Sequence, residues 1–169
     1  DKVKMQTSGA KLIMSGNEAI GLAAIAAGFE LGRRCAVSNV NTKRKSIASP
    51  ANVYRLMIPY MKTLDHEECW VLYLTSSNRV IERQRVSQGG VQATVVDHRL
   101  IVKRALELLS TQIIMVHNHP SGSTEPSAAD KNLTRRVADA AALFDIRLLD
   151  HIIISAEGDY SFRRSGLLK

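Results

Sequence analysis

Cysteine is scarce in this chain. Only Cys35 and Cys69 occur in 169 residues, and no CxxC spacing joins them. Neither a disulfide framework nor a thiolate zinc site is suggested, and a reducing, cytoplasmic setting fits best. Long apolar runs are missing too. Nothing approaches the roughly 20 residues that a membrane-spanning helix needs, so no membrane role is expected. The small-residue run Ala23–Ala27 is too short for a signal segment, and Glu18 and Glu30 flank it. There is no internal repeat and no low-complexity tract. Ser121 lacks the Gly-x-Ser-x-Gly elbow that a serine nucleophile would need.

What remains is the composition of an ordinary soluble protein, 45% hydrophobic and 23% charged. The length holds one domain with a real core and a small appendage. The net charge of +7 is unevenly placed. Residues 1–63 carry 10 Lys/Arg against 3 Asp/Glu, whereas residues 64–169 carry 13 of each. A basic N-terminal part ahead of a neutral body is compatible with contact to DNA or another polyanion. The polar, basic stretch Asn39–Ser46 is the best linker. It divides the chain into an N-terminal segment, 1–45, and a main domain, 46–169. The chain opens on Asp1 without an initiator methionine, as a fragment or a processed chain would.

Residues 1–16 lack a clear period. Asn17 caps an expected helix that runs to Arg34, with Ile20, Ala23, Ala24, Ala27 and Leu31 at helical spacing. Ser49-Pro50 starts a second helix, expected to reach about Met61 despite Pro59. Glu68 opens an aromatic and β-branched strand through Thr75, and Ser76-Ser77-Asn78 turns the chain into a second strand, Arg79–Val86. After Gly89-Gly90 a short extended piece leads to Asp97, cap of a helix through Leu109 that turns Ile101, Ala105 and Leu108 to the core. A helix over Ala128–Phe144 should bury Leu133, Val137, Ala141 and Phe144. A buried strand, Ile146–Ile154, and a short one at Tyr160–Phe162 complete the chain. Strands and helices mix without the strict alternation of a doubly wound fold. The pattern predicts an α/β domain, a mixed central β-sheet flanked by helices, with a short helical N-terminal segment.

The densest chemistry lies between Ile113 and Asp130. The apolar run Ile113–Val116 reads as a buried strand that delivers His117-Asn118-His119. Side chains two apart on a strand share a face, so His117 and His119 converge. Pro120 and Gly122 stop the strand, and a polar loop leads to Ser127 and Asp130 at a helix start. Ser-x-x-Asp before an amphipathic helix is also a capping box, which by itself accounts for both residues. A lone strand histidine is ordinarily a satisfied core or surface ring. Neither reading accounts for two histidines, a tight turn and an acidic helix start together, a combination that suits a three-ligand metal site. His151 reads as a core histidine rather than a ligand, and His66 and His98 as surface residues.

His117-x-His119-Pro120, six residues, then Ser127-x-x-Asp130 resembles the JAMM signature of MPN-domain metalloproteases. The wider string His117–Gly122, Glu125-Pro126-Ser127 and Asp130 is similar to the RadC-like branch of that superfamily, and the likeness continues in Asp145–His151 and Ser161-Phe162. It covers about residues 50–169. Residues 12–34 resemble the end of that family's helix-hairpin-helix-like N-terminal region, although Ser15-Gly16-Asn17 stands where a Gly-x-Gly hairpin is expected. The resemblance implies a JAB/MPN fold with cytidine-deaminase-like layering. It also implies Zn2+ held by His117, His119 and Asp130, with Glu68 as the proton-transferring carboxylate and Ser127 steadying the oxyanion. Glu67, next to it, would point to the opposite face. Asn118 stands where JAMM sequences carry serine or threonine, which implies a substrate preference different from ubiquitin-type isopeptides.

Two functions follow as expectations. One is a zinc-dependent metallopeptidase or isopeptidase acting on a protein or peptide substrate. The alternative is a DNA-associated repair or recombination module with a structural or vestigial metal site, or a zinc-dependent nuclease. Zinc deaminase chemistry is disfavoured, because the His-x-Glu and Pro-Cys-x-x-Cys pattern is absent. Oligomeric state is not legible in the sequence.

Overall fold

The computed structural model describes residues 2–7, 10–15, 46–88 and 96–168, together with helical positions at 21, 24, 25 and 27–29. The chain forms two compact units, Asp1–Asn41 and Thr42–Lys169. In the first, β1 (Lys2–Thr7) pairs antiparallel with β2 (Ala10–Ser15), Val3 opposite Met14 and Met5 opposite Leu12. A hairpin therefore heads the segment in which no regular element was expected. The two-residue alternation of Lys2-Val3-Lys4-Met5 is the sequence signal for it. Of the helix expected over Asn17–Arg34, residues 21, 24, 25 and 27–29 are helical, and the rest lies outside the described residues. So do most of the linker at 39–46 and the extended piece after Gly89-Gly90.

The second unit is a mixed five-stranded sheet in the order β4-β3-β5-β6-β7, with helices on its faces. Strand β3 (Glu68–Leu74) forms an antiparallel hairpin with β4 (Val80–Gln88), and Asn78 turns it with φ 58°. On its other side β3 pairs antiparallel with β5 (Gln112–Asn118). β5 runs parallel to β6 (Arg147–Ile154), and β7 (Asp159–Ser161) closes that edge antiparallel. Helix α1 (Pro50–Met61) precedes β3, α2 (His98–Glu107) follows β4, and α3 (Ala128–Ala142) crosses from β5 to β6.

Strand alternation sorts the core into two layers. Cys69, Val71 and Tyr73 of β3 and Ile113 and Met115 of β5 pack with Ile101 and Ala105 of α2 and Val137 and Ala141 of α3. The intervening residues face the other way, where Tyr60 of α1 meets Trp70 with ring centroids 5.5 Å apart. Phe144, expected in the core, is 51% exposed. The helix has ended by then: Asp145 takes φ 56°, Ile146 N–H closes on Ala141 C=O at 3.1 Å, and Ile146 occupies the buried place instead. One irregularity matters for the site. The β5–β6 register shifts between Ile113 and Ile114, so Leu148 pairs with Ile113 but Asp150 with Ile114. The extra residue, Leu149, turns Asp150 away from the α3 side and brings His151 onto it.

Candidate metal centre

The carboxyl end of β5 lies where the strand has an antiparallel neighbour on one side and a parallel neighbour on the other, the kind of place where open α/β sheets build sites. His117 is the penultimate residue of β5 and is buried. His119 stays tied to β6 through its N–H, which donates to Ile154 C=O at 2.9 Å. Gly122 then reverses the chain with φ 90°, its N–H on His119 C=O. The loop returns at Ser127, the N-cap of α3.

Ser127 and Asp130 do form the capping box. Ser127 N–H and Oγ–H both donate to Asp130 Oδ2, at 2.8 and 2.6 Å, and Asp130 N–H donates to Ser127 Oγ at 3.1 Å. Oδ2 is thus occupied while Oδ1 faces His117 Nε2 at 3.3 Å. Capping and site-building coincide, because the same hydrogen bonds that start the helix hold the carboxylate in place. The single Ser127 proton is already engaged on Asp130, so an oxyanion-stabilising role requires the hydroxyl to turn away.

His117, His119 and Asp130 offer one ligand atom each within 4.8 Å of one another. The two Nε2 atoms are 2.8 Å apart, and His119 Nε2 is 3.6 Å from Asp130 Oδ2. His119 Nδ1 donates to Ser123 C=O at 2.9 Å, which leaves Nε2 of the neutral ring bare. Nitrogen lone pairs and a carboxylate aimed at one point call for a positive charge between them, and this donor set fits a divalent metal. The electrostatics agree. Burial pushes His117 down to about 4, so the ring is neutral at pH 7. The neighbouring Asp130 carboxylate raises His119, against the ring's own burial. Burial works to raise Asp130, but His119, His117 and Ser127 outweigh it and hold the carboxyl far below its ordinary range.

These groups line a cleft of about 490 Å³ together with Glu67, Cys69, Ser123 and Arg136. Glu68, the carboxylate expected there, is not among its lining residues. Its side chain is buried on the α1 side, accepting from Trp70 Nε1 at 2.8 Å and Arg85 Nη1 at 2.7 Å. Glu67 takes the cleft face instead. Cys69 is opposite His117 in the register, and Glu67, two residues before Cys69, shares its face. Asn118 fixes this stretch: its Nδ2 donates to His66 C=O and its Oδ1 accepts from Glu68 N–H, both at 2.8 Å. The amide brackets Glu67 from either side. His66, expected on the surface, is half-buried, with its ring 3.3 Å from Glu68 Oε1.

His151 is fully buried, as a core histidine should be, but it touches the site. Its Nε2 is 2.8 Å from His117 Nδ1, its Nδ1 is 2.7 Å from Thr134 Oγ1, and its ring stacks on Phe162. Its position after Asp150 gave no sign of this contact, since the bulge at Leu149 creates it.

A family model for the RadC-like JAB domain matches residues 47–167. The chain is similar to a UPF0758 protein of Flavobacterium johnsoniae, 43% identical over 143 residues, which cover 85% of this chain and 62% of that one. A UPF0758 protein of Porphyromonas gingivalis is also 43% identical, over 85% of this chain and 63% of its own length. One of Methanosarcina mazei is 41% identical over 87% and 64%. A mixed sheet that gathers two histidines and an aspartate at the end of one strand is a JAB-type architecture. With these matches, the chain belongs to the RadC-like JAB domain family. It spans just under two thirds of the length of these relatives. Among the described residues no helix is long and apolar enough to cross a membrane.

Proposed function

We propose that this chain is a zinc-dependent hydrolase that cleaves an amide bond in a protein or peptide substrate. His117, His119 and Asp130 are the residues that would hold the ion. Bound there, zinc supplies Lewis acidity, polarising an amide carbonyl and lowering the pKa of water. Glu67 is the carboxylate that takes a proton from the attacking water and returns it to the leaving nitrogen, the part expected of Glu68. Ser127 serves first to aim Asp130, and its hydroxyl reaches an oxyanion only by leaving Oδ2. The observation that carries this reading is the shared cleft, in which Glu67 lies with the three ligand groups.

A library of quenched fluorescent peptides, incubated with the zinc-loaded chain, tests it. The reading expects turnover by the wild type, lowered about 10²- to 10⁴-fold in Glu67→Gln. Equal rates in the two would contradict it. Contact of the basic N-terminal part with DNA is the second reading, motivated by the excess of Lys/Arg over residues 1–63. It expects binding of a duplex oligonucleotide that weakens steeply with salt. Loss of phosphodiester bonds under the same conditions would favour the nuclease variant.

A further inference from the structure

We propose that Thr134 and His151 are positioning residues that set the tautomer of His117, so that its Nε2 faces the cleft without a proton. The proposal rests on the reading of His117 as a metal ligand. The direction of the relay follows from counting protons. Thr134 Oγ1 has one, and it donates this proton to Asp130 C=O at 2.6 Å. Toward His151 Nδ1, 2.7 Å away, the same oxygen can only accept, so Nδ1 carries hydrogen. His151 is sealed from solvent and neither ring nitrogen meets a carboxylate, which makes a cationic ring costly and a neutral one the stable form. Its Nε2 is then bare and accepts from His117 Nδ1 at 2.8 Å. With the proton of neutral His117 held on Nδ1, Nε2 presents its lone pair to His119 and Asp130.

The circuit closes on the site it serves. Asp130 contributes its side chain to the ligand set and its backbone carbonyl to Thr134, one helical turn on. Thr134 orders His151, and His151 orders His117. Two features of the fold exist at the right place for this. The bulge at Leu149 carries His151 onto the α3 side of the sheet. Phe162, stacked on the ring with centroids 4.8 Å apart and planes 18° from parallel, fixes its tilt. Outer partners that orient metal-bound histidines are usually carboxylates, carbonyls or water. Here a second histidine takes that part, and a hydroxyl orients it in turn.

Two measurements on the 169-residue chain decide the matter. Long-range ¹H–¹⁵N spectra of the metal-free wild type should show His117 and His151 both protonated at Nδ1 and bare at Nε2. A His117 protonated at Nε2 would overturn the proposal. Competition with a chromophoric chelator then gives zinc affinity. Thr134→Val, which keeps the shape but loses the acceptor, should weaken it about 10- to 100-fold, and Thr134→Ser should restore it. Wild-type affinity in Thr134→Val would also overturn the relay. If the wild type binds no zinc at all, the metal reading fails, and the spectra still decide the tautomers on their own.

Discussion

At the scale of single residues, the site separates what is written locally from what is set by register. His117, His119, Ser127 and Asp130 were legible because a strand end, a Pro/Gly turn and a helix cap place them within a short stretch of sequence. Which glutamate lines the cleft was not. Whether Glu67 or Glu68 faces the cleft depends on how β3 aligns with β5, and a one-residue slip inverts the answer. Cys69 opposite His117 decides for Glu67. Glu68→Gln should therefore leave the turnover of the folded protein near wild type and lower stability by about 1 kcal/mol, since it weakens a part-buried charge-assisted contact to Arg85. Urea unfolding beside the peptide assay checks both halves, and collapse of turnover without loss of stability would count against the assignment. Asn118 has the opposite profile. Asn118→Ala removes both bonds that bracket Glu67, so stability should fall by about 1–3 kcal/mol and turnover should fall with it while zinc stoichiometry stays at wild-type level.

At the scale of elements, the start of α3 does two jobs with one set of hydrogen bonds. Ser127→Ala removes the cap and one of the two hydrogen bonds on Asp130 Oδ2, leaving only the one from the Ser127 N–H. It should cost about 1 kcal/mol of stability and weaken zinc binding as well. A variant that loses stability alone would mean that the box only caps. Most elements of the main domain could be read from periodicity and caps: Ser49-Pro50 before α1, Asp97 before α2 and the Ser76–Asn78 turn all stand where the sequence put them. The misses have definite causes. The β1–β2 hairpin alternates over too few residues for its period to stand out. Phe144 falls beyond the last helical turn, where a left-handed Asp145 reverses the chain. The bulge at Leu149 leaves no mark in composition, and with it went the contact between His151 and His117.

At the scale of the whole molecule, the sheet buries Cys69, which borders the cleft, and Tyr73 further along the same strand, and this gives the fold a dependence on alkaline pH. Burial pushes the Cys69 thiol up to about 12, with the Asp130 charge acting in the same sense, and burial likewise raises Tyr73. A group raised in the fold contributes stability that is intact below its unfolded value and is lost as pH climbs toward the folded one. Between about pH 9 and 12, Cys69 should therefore cost the fold about 1.4 kcal/mol per pH unit. Urea titrations at stepped alkaline pH should show this slope between about pH 9 and 10, with the raised Tyr73 adding to it above about pH 10, and Cys69→Ala should remove the Cys69 share only. The central claim is that two strand-end histidines and a helix-cap aspartate make one metal site, and a zinc-binding isotherm by equilibrium dialysis tests it most directly. The account predicts one equivalent of zinc bound by the wild type and by Glu67→Gln, and none by His117→Ala or Asp130→Ala. Wild-type binding no tighter than that of His117→Ala would contradict it.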